Sequence, residues 1–274
     1  MTSIAIWLSQ ERFVNSLWAV GDSRISQQIG QDCITRHDHG AKIFSIDYAC
    51  ENIRESPERR QAYFHGSIGL AYAGYSNVGL SLYAVLSSLL RSLGGGGETA
   101  LPTIADISHL AARVMTNYLR ALGQEGKCEC ALFGFCPKAR EPQIYHITLD
   151  TTVDPFIYKS TPFNLNDDAV LILGASKDFV RKAIIEYRSD PQNAGRRARA
   201  PRYVLEQIIE SRVDPTIGGN IQLAIASNVK CENYWISTPI EKGKTEAQMV
   251  YLGLDIFDKP IKVGDCYIGM HGMI

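Results

Sequence analysis

The chain lacks an excess of charge of either sign. Its 274 residues carry 28 Lys and Arg against 29 Asp and Glu, which gives a net charge of −1. Non-specific binding to nucleic acids or to anionic membranes requires a basic excess, so neither is expected as a partner. Disordered chains combine high net charge with low hydrophobicity. Here 45% of the residues are hydrophobic, so a folded domain is expected.

The chain also lacks long apolar runs and a paired cysteine framework. No segment approaches the roughly 20 apolar residues of a membrane-spanning helix, and residues 1–13 do not have the cationic and apolar regions of a signal peptide. The seven cysteines are an odd number scattered along the chain, which favours reduced thiols. These absences predict a cytoplasmic protein without a membrane segment.

Several candidate motifs lack a part that their chemistry needs. The glycine run 94–97 has no following Gly-Lys-Ser/Thr and comes after a predicted helix, so it is interpreted as a connector and not as a phosphate loop. The cysteines in Cys128-Glu129-Cys130 are too closely spaced for a structural zinc pair, which favours simple strand thiols. The loop 37–39, with sequence His-Asp-His, offers no third ligand and is predicted to be solvated.

The turn at Gly174-Ala175-Ser176 lies between a predicted strand and a predicted helix. This is the position of a nucleophile elbow, but the final glycine of that motif is missing. From the residues alone, Ser176 is interpreted as the N-cap of the helix.

Hydrophobic periodicity predicts the order of the elements. Alternating apolar residues indicate strands at 4–8, 17–20 and 42–46, while 61–74 is predicted to form a hairpin and the polar segment 48–60 an exposed excursion. Helical spacing indicates helices at 78–93 and 104–122. Strands are predicted next at 128–135, 143–149, 153–158 and 169–173, then helices at 176–187 and 202–212 and a strand at 221–226. This order favours two sheets covered by two helix layers over alternating βαβ units.

Thr2 is the strongest candidate for a reactive residue. Initiator methionine is generally removed when the next residue is as small as threonine, and removal would leave a free α-amine with a pKa near ~8. That amine could accept the proton of the threonine's own hydroxyl and activate it as a nucleophile without a histidine.

Six motifs give Thr2 its context. In chain order they are Thr2-Ser3-Ile4-Ala5, Gly21-Asp22-Ser23-Arg24, Lys42-Ile43, Ala73-Gly74, Gly174-Ala175-Ser176 and Asp214-Pro215-Thr216-Ile217-Gly218-Gly219. With these motifs, residues 2–226 resemble the proteasome β-subunit and HslV group of N-terminal-nucleophile hydrolases. The resemblance implies an α+β fold, the four-layer αββα sandwich of that class.

The resemblance also implies roles for individual residues. Thr2 would be the nucleophile, and Lys42 would be the cation that lowers the proton affinity of the α-amine. Asp22 would hold Lys42 in place, and the backbone N–H of Gly74 would donate to the oxyanion. Each of these residues taken alone has a simpler interpretation, such as a turn aspartate or a surface lysine.

Two further residues belong to the supporting turns of the family. Asp214 matches the carboxylate that orients the terminal amine, and Ser176 matches a supporting serine shifted by one position, since Ala175 stands where many members have serine. Ile217 stands where the family usually has another serine.

The implied function is hydrolysis of peptide bonds by a threonine-type peptidase that forms a homo-oligomeric ring. An ATPase unfoldase is the implied partner, and no metal or organic cofactor is implied. Two alternatives stay open: a catalytically silent structural or binding subunit, favoured by Ile217, and an amidase or acylase for a small amide. We expect one hydrolase-like domain over 1–226 with an insertion near 48–60, and an extension over 227–274 packed on the same domain.

Overall fold

The computed structural model describes residues 2–11, 14–29, 32–52, 61–95, 100–123, 127–166, 168–239, 247–255, 262–267 and 272–273. Within these ranges the chain forms strands and four α-helices. In chain order the elements are β1 (Ser3–Glu11), β2 (Val14–Gly21), β3 (Ile25–Ile29), β4 (Asp32–His37), β5 (Ile43–Asn52), β6 (Ala62–Gly74), α1 (Ser76–Leu89), β7 (Leu93–Gly95), α2 (Ile104–Leu122), β8 (Cys128–Cys136), β9 (Glu141–Asp150), β10 (Ile157–Pro162), β11 (Val170–Gly174), α3 (Lys177–Ser189), α4 (Ala200–Ser211), β12 (Gln222–Ala226), β13 (Cys231–Pro239), β14 (Ala247–Tyr251), β15 (Leu254–Asp255), β16 (Lys262–Val263), β17 (Cys266–Tyr267) and β18 (Gly272–Met273). Two 3₁₀ segments, Leu90–Ser92 and Pro191–Arg199, follow α1 and α3.

The larger sheet has the strand order β11-β1-β2-β12-β13-β14-β15, and β18 pairs with β13. The pairs among β11, β1, β2, β12 and β13 are antiparallel. Since β1 lies between β11 and β2, the first residues of β1 lie between the ends of two neighbouring strands. Ser3 is opposite Gly174, and Ile4 is opposite Gly21.

The second sheet has the order β10-β9-β8-β6-β5-β7. All of its pairs are antiparallel except that of β7 with β5. The ends of β6 and β8 meet where Gly74 pairs with Cys128. This edge of the second sheet contributes one wall of the pocket described below.

Three groups of buried apolar residues hold the elements together. One group joins strands of the second sheet to α1 and α2, and includes Leu82, Met115 and Leu132. Another contains residues from both sheets, such as Ile6 and Phe133. The last joins strands of the larger sheet to the second pair of helices. Burial of each aliphatic or aromatic side chain of this kind stabilises the fold by roughly 1.5–3 kcal/mol.

Helix α2 spans the residues that its periodicity predicts and begins with a capping box. The side chain of Thr103 accepts a hydrogen bond from the N–H of Asp106, whose carboxylate accepts one from the N–H of Thr103. Helix α1 ends earlier than predicted, at Leu89, because the chain continues as a 3₁₀ turn and then joins β5 as the short strand β7.

Two sequence-based predictions about the second sheet were wrong. The segment 61–74 is not a hairpin, because β6 is one strand that pairs with β5 on one side and β8 on the other. The predicted excursion starts too early: residues 48–52 continue β5, and Tyr48 is buried in the core. Residues 53–60 lie outside the described ranges.

Other boundaries moved or were missed. β3 and β4 form a two-stranded sheet that the sequence did not predict. The strand predicted at 153–158 occupies Ile157–Pro162. The 3₁₀ segment Pro191–Arg199 lies between the two predicted helices, and the carbonyl oxygen of its residue Ala198 accepts a hydrogen bond from the indole N–H of Trp7. β13 pairs directly with β12, whereas the proposed division of the chain into 1–226 and 227–274 stays a prediction.

Candidate active site

The start of β1 is buried. Thr2 is 6% exposed and Ser3 is fully buried, although they stand at the beginning of the chain. The carbonyl oxygen of Thr2 accepts a hydrogen bond of 2.8 Å from the N–H of Ala175. This bond holds the backbone at Thr2, and strand pairing begins directly after it, at Ser3 on one side and at Ile4 on the other.

Gly174 is required for this close approach. It has a φ of +92°, and a Cβ at this position would collide with the carbonyl group of Thr2. A glycine tolerates both the positive φ and the contact. The glycine of the Gly174-Ala175-Ser176 turn therefore lets the end of β11 lie in direct contact with Thr2, the residue before β1.

Asp22 and Lys42 form an ion pair below the start of β1. The Nζ atom of Lys42 lies 3.0 Å from Oδ1 of Asp22, and both side chains are completely buried. Lys42 also donates a 2.6 Å hydrogen bond to the carbonyl oxygen of Arg24. The same Oδ1 atom of Asp22 accepts a 2.9 Å hydrogen bond from the N–H of Ser3. A single hydrogen bond thus connects the ion pair to Ser3, the residue that follows Thr2.

Backbone donors complete the environment of the carboxylate. Oδ2 of Asp22 accepts hydrogen bonds of 3.2 Å from the N–H groups of Arg24 and Gly218. Burial lowers the pKa of Lys42 and raises that of Asp22, while their mutual attraction acts in the opposite direction on each. The geometry therefore provides a buried ammonium that is easier to deprotonate than a surface lysine.

Gln222 is a member of this site that sequence reasoning missed. Its Oε1 atom accepts a hydrogen bond from the N–H of Lys42, and its Nε2 atom donates to the carbonyl oxygens of Asp22 and Gly40. A single glutamine in the otherwise apolar run of β12 was the available signal, because a buried amide needs partners. Gln222 thus connects, through hydrogen bonds, the segment that contains Asp22 to the segment that contains Lys42.

Ser176 and Asp214 meet beside the turn. Ser176 has a φ of 56° and precedes α3, but its hydroxyl does not cap the helix. It donates a 2.7 Å hydrogen bond to Oδ2 of Asp214 instead. Oδ1 of Asp214 accepts hydrogen bonds from the N–H and hydroxyl of Thr216. Burial alone raises the pKa of Asp214, but these hydrogen bonds outweigh it and hold the pKa below its usual value. Ile217 points into the core and is 1% exposed.

A pocket of about 410 Å³ opens at Thr2. Gly74 lies on its wall with a φ of +128°, and a Cβ there would lie 2.8 Å from the Cα of Cys128. Leu149 and Tyr158 add apolar surface. The pocket places Thr2 and Gly74, two of the predicted site residues, on one cavity.

Glu129 is the second unpredicted residue of the site, and it also lines this pocket. Its carboxylate accepts hydrogen bonds from the N–H of Gly174 at 2.6 Å, from Lys177 at 2.8 Å and from His146 at 3.0 Å. Burial alone raises the pKa of Glu129, but these three donors outweigh it and lower the pKa. A lone glutamate inside the apolar strand β8 was the signal for this cluster.

The motifs that were set aside have structural roles. Asp38, in the loop predicted to be solvated, forms an ion pair with Arg24, with 2.7 Å between Oδ1 and Nε. Cys128 and Cys130 are buried thiols on β8, and all seven cysteines of the chain, each within the described ranges, are free. No group of three or more His, Cys, Asp or Glu side chains among the described residues is arranged to hold a metal ion.

The elements and the site define a mixed α+β protein with a proteasome-like fold. Among solved structures, the chain is similar to Anbu (ancestral beta-subunit) from Yersinia bercovieri, with a TM-score of 0.54 and 14% identity. The match covers 85% of this chain and 87% of that one. At this identity the likeness shows the fold alone, and it does not single out HslV.

No protein-family model and no curated protein sequence matches the chain. In the part of the chain that the structure describes, none of the helices has the length and apolar character needed to cross a membrane.

Proposed function

We propose that the chain is a proteasome-related amide hydrolase whose nucleophile is Thr2, freed by removal of Met1. The arrangement would be the four-layer αββα sandwich of the N-terminal-nucleophile class, over residues 1–226. The observation that carries the proposal is the fully buried ion pair of Lys42 and Asp22, bonded to the backbone of Ser3 beside a pocket that Thr2 lines.

In this mechanism the α-amine of Thr2 accepts the proton of its hydroxyl. The hydroxyl oxygen forms a bond to the carbonyl carbon of the substrate, and the N–H of Gly74 stabilises the resulting oxyanion. The C–N bond then breaks as the amine of the leaving group takes the proton. In deacylation the α-amine accepts a proton from water, and the water oxygen forms a bond to the acyl carbon. The ester C–O bond then breaks as the Thr2 oxygen takes that proton, which releases the carboxylic acid and restores the free enzyme. The ammonium of Lys42 favours the neutral form of the α-amine, which is the form that can act as a base.

The supporting residues would hold the nucleophile still. Ala175 holds the carbonyl of Thr2, and the bond from Ser176 to Asp214 fixes the turn that contains Ala175. The carboxylate of Asp214 would orient the α-amine. Because a misplacement of about 1 Å can lower a rate by roughly 100-fold, a rigid turn is a functional requirement of this mechanism.

The substrate would be a peptide or small amide with an apolar side chain beside the scissile bond. The pocket at Thr2 has a volume of about 410 Å³, and Leu149 and Tyr158 lie on its wall. The proteasome-like fold supports oligomeric assembly, and we propose a cytoplasmic homo-oligomeric ring with an ATPase unfoldase as its partner.

A silent structural subunit is the second candidate, and Ile217 is the observation that favours it. Where the family resemblance predicts a serine near the α-amine, this chain has an isoleucine buried in the core. The ion pair and the hydrogen bonds around Thr2 would then stabilise the fold without a catalytic role. The small-amide alternative keeps the chemistry and differs in substrate and assembly.

Activity and assembly measured together separate these candidates. We expect wild-type protein to hydrolyse a fluorogenic tripeptide amide with an apolar side chain before the scissile bond, and Thr2→Ser to keep part of that activity. Thr2→Ala should be inactive, while Thr151→Ala, at an exposed threonine, should match the wild type. Equal rates for Thr2→Ala and wild type would contradict the proposal. If the protein is active in this assay and native mass spectrometry shows a monomer, the small-amide hydrolase is favoured over the ring peptidase.

A further inference from the structure

A second cavity lies away from the Thr2 pocket and has about twice its volume, about 830 Å³. It lies between the start of β11, the second half of α3 and the end of the 3₁₀ segment before α4. It shares no lining residue with the pocket at Thr2. Three guanidinium groups line it, those of Arg181, Arg188 and Arg197. We call it the arginine cavity.

Arg188 is the deepest of the three arginines, with a side chain only 15% exposed. Burial lowers the pKa of this guanidinium. Its Nη1 atom donates a 2.9 Å hydrogen bond to the neutral carbonyl oxygen of Asp168 and lies 3.4 Å from Oδ1 of the same residue, whose side chain is 89% exposed. A carboxylate that remains in water compensates a buried cation poorly. A second anion inside the cavity would therefore stabilise the positive charge of Arg188.

The charged side chains of the cavity wall carry a net positive charge. Of the described side chains on the cavity wall, the three arginines are cationic and Asp168 is anionic, so 3 − 1 leaves an excess of two positive charges. Arg181 forms an ion pair of 2.9 Å with Asp178, but Asp178 is fully exposed and the pair is screened by solvent. Planar guanidinium groups suit carboxylates because they can donate two parallel hydrogen bonds.

The rest of the wall is largely apolar. Leu8, Phe163, Ile184 and Ile185 are among its lining residues. Such a wall suits an aliphatic tail, which needs no hydrogen-bond partners, better than a peptide backbone, whose buried polar groups do need them. The volume falls within the roughly 300–1,000 Å³ of small-molecule sites.

We propose that the arginine cavity binds a small amphipathic anion, a carboxylate on an aliphatic tail. The carboxylate would accept hydrogen bonds from Arg188 and one of the outer arginines. The tail would lie against Phe163 and Ile184. This binding site is independent of the chemistry proposed for Thr2.

Isothermal titration calorimetry with decanoate tests the proposal. We expect one decanoate per chain, and at least 10-fold weaker binding of decanol, which has the same tail without the charge. Arg188→Met keeps the aliphatic stem and should weaken decanoate binding by roughly 10- to 100-fold, the worth of a hydrogen bond between charged groups. Arg91→Gln, at an exposed arginine elsewhere, should bind like the wild type.

The double variant Arg181→Gln/Arg197→Gln makes the test independent of the buried residue. Both arginines are exposed, so their loss should leave the fold intact, as circular dichroism can verify. We expect it to weaken decanoate binding by at least threefold. No saturable binding to the wild type, equal binding of decanol and decanoate, or unchanged affinity in the double variant would overturn the proposal. Thr2→Ala should bind decanoate normally, which separates this site from the hydrolase proposal.

Discussion

Removing the charge of Asp22 and removing the charge of Lys42 should cost different amounts of unfolding free energy. Asp22→Asn replaces the carboxylate by a neutral amide and leaves the ammonium of Lys42 buried without a counter-charge, beside neutral acceptors such as the carbonyl of Arg24. Removal of one partner of a buried pair costs about 3–5 kcal/mol of unfolding free energy. Lys42→Met leaves a carboxylate that still accepts three backbone N–H bonds, from Ser3, Arg24 and Gly218. We expect this variant to cost less, about 1–3 kcal/mol.

The double variant Asp22→Asn/Lys42→Met completes a thermodynamic cycle. No buried charge remains in it, so its cost should be about 1–3 kcal/mol smaller than the sum of the two single costs. Urea unfolding at pH 7, with midpoint and slope fitted for each variant, measures all three values. Lys182→Met, which breaks an exposed pair with Glu186, is the control and should cost less than about 1 kcal/mol. Additive costs, or a larger cost for Lys42→Met than for Asp22→Asn, would refute the reasoning.

Two further predictions concern the turn that holds Thr2. The hydrogen bonds to Glu129 lower its pKa below the usual 4.5, so its ionised form stabilises the fold above about pH 4.5 and this contribution is lost as the pH falls through the folded-state pKa. Glu129→Gln should therefore destabilise the protein at pH 7, and its difference from wild type in urea unfolding should shrink toward pH 3; a constant difference would contradict this. Gly174→Ala should cost at least about 1–3 kcal/mol, because of its φ of +92° and the contact with Thr2. The control Gly195→Ala has no atom within 4 Å of its new Cβ and should be close to neutral in thermal unfolding, so equal melting temperatures for the two variants would refute the prediction.

The sequence was informative where a local pattern reports a local cause. The 3.6-residue period predicted α2 over its observed bounds, 104–122. The predicted contact between Asp22 and Lys42 is present, although 20 residues separate them. That contact could be predicted only because the order of the motifs matched a known arrangement.

The missed features depend on tertiary contacts. The sequence of β6 favours a hairpin because its apolar and polar residues do not alternate. They need not alternate here, because Tyr72 faces the cluster with α1 and α2 while Ala71 faces the cluster shared with the larger sheet, so both faces of the strand are buried. Glu129 has three donors on other elements, so its place in the apolar strand β8 could signal a buried carboxylate but could not identify its partners. The hydroxyl of Ser176 faces Asp214 across 38 residues, so its bond could not be read from the helix-capping pattern.

The central claim is that Thr2 becomes a nucleophilic terminal residue. Intact mass spectrometry of the purified protein, before and after incubation with a peptide β-lactone that acylates nucleophilic hydroxyls, tests it most directly. We predict a chain without Met1, one added acyl group per chain in the wild type, and none in Thr2→Ala. A mature chain that retains Met1, or equal acylation of the wild type and Thr2→Ala, would contradict the account.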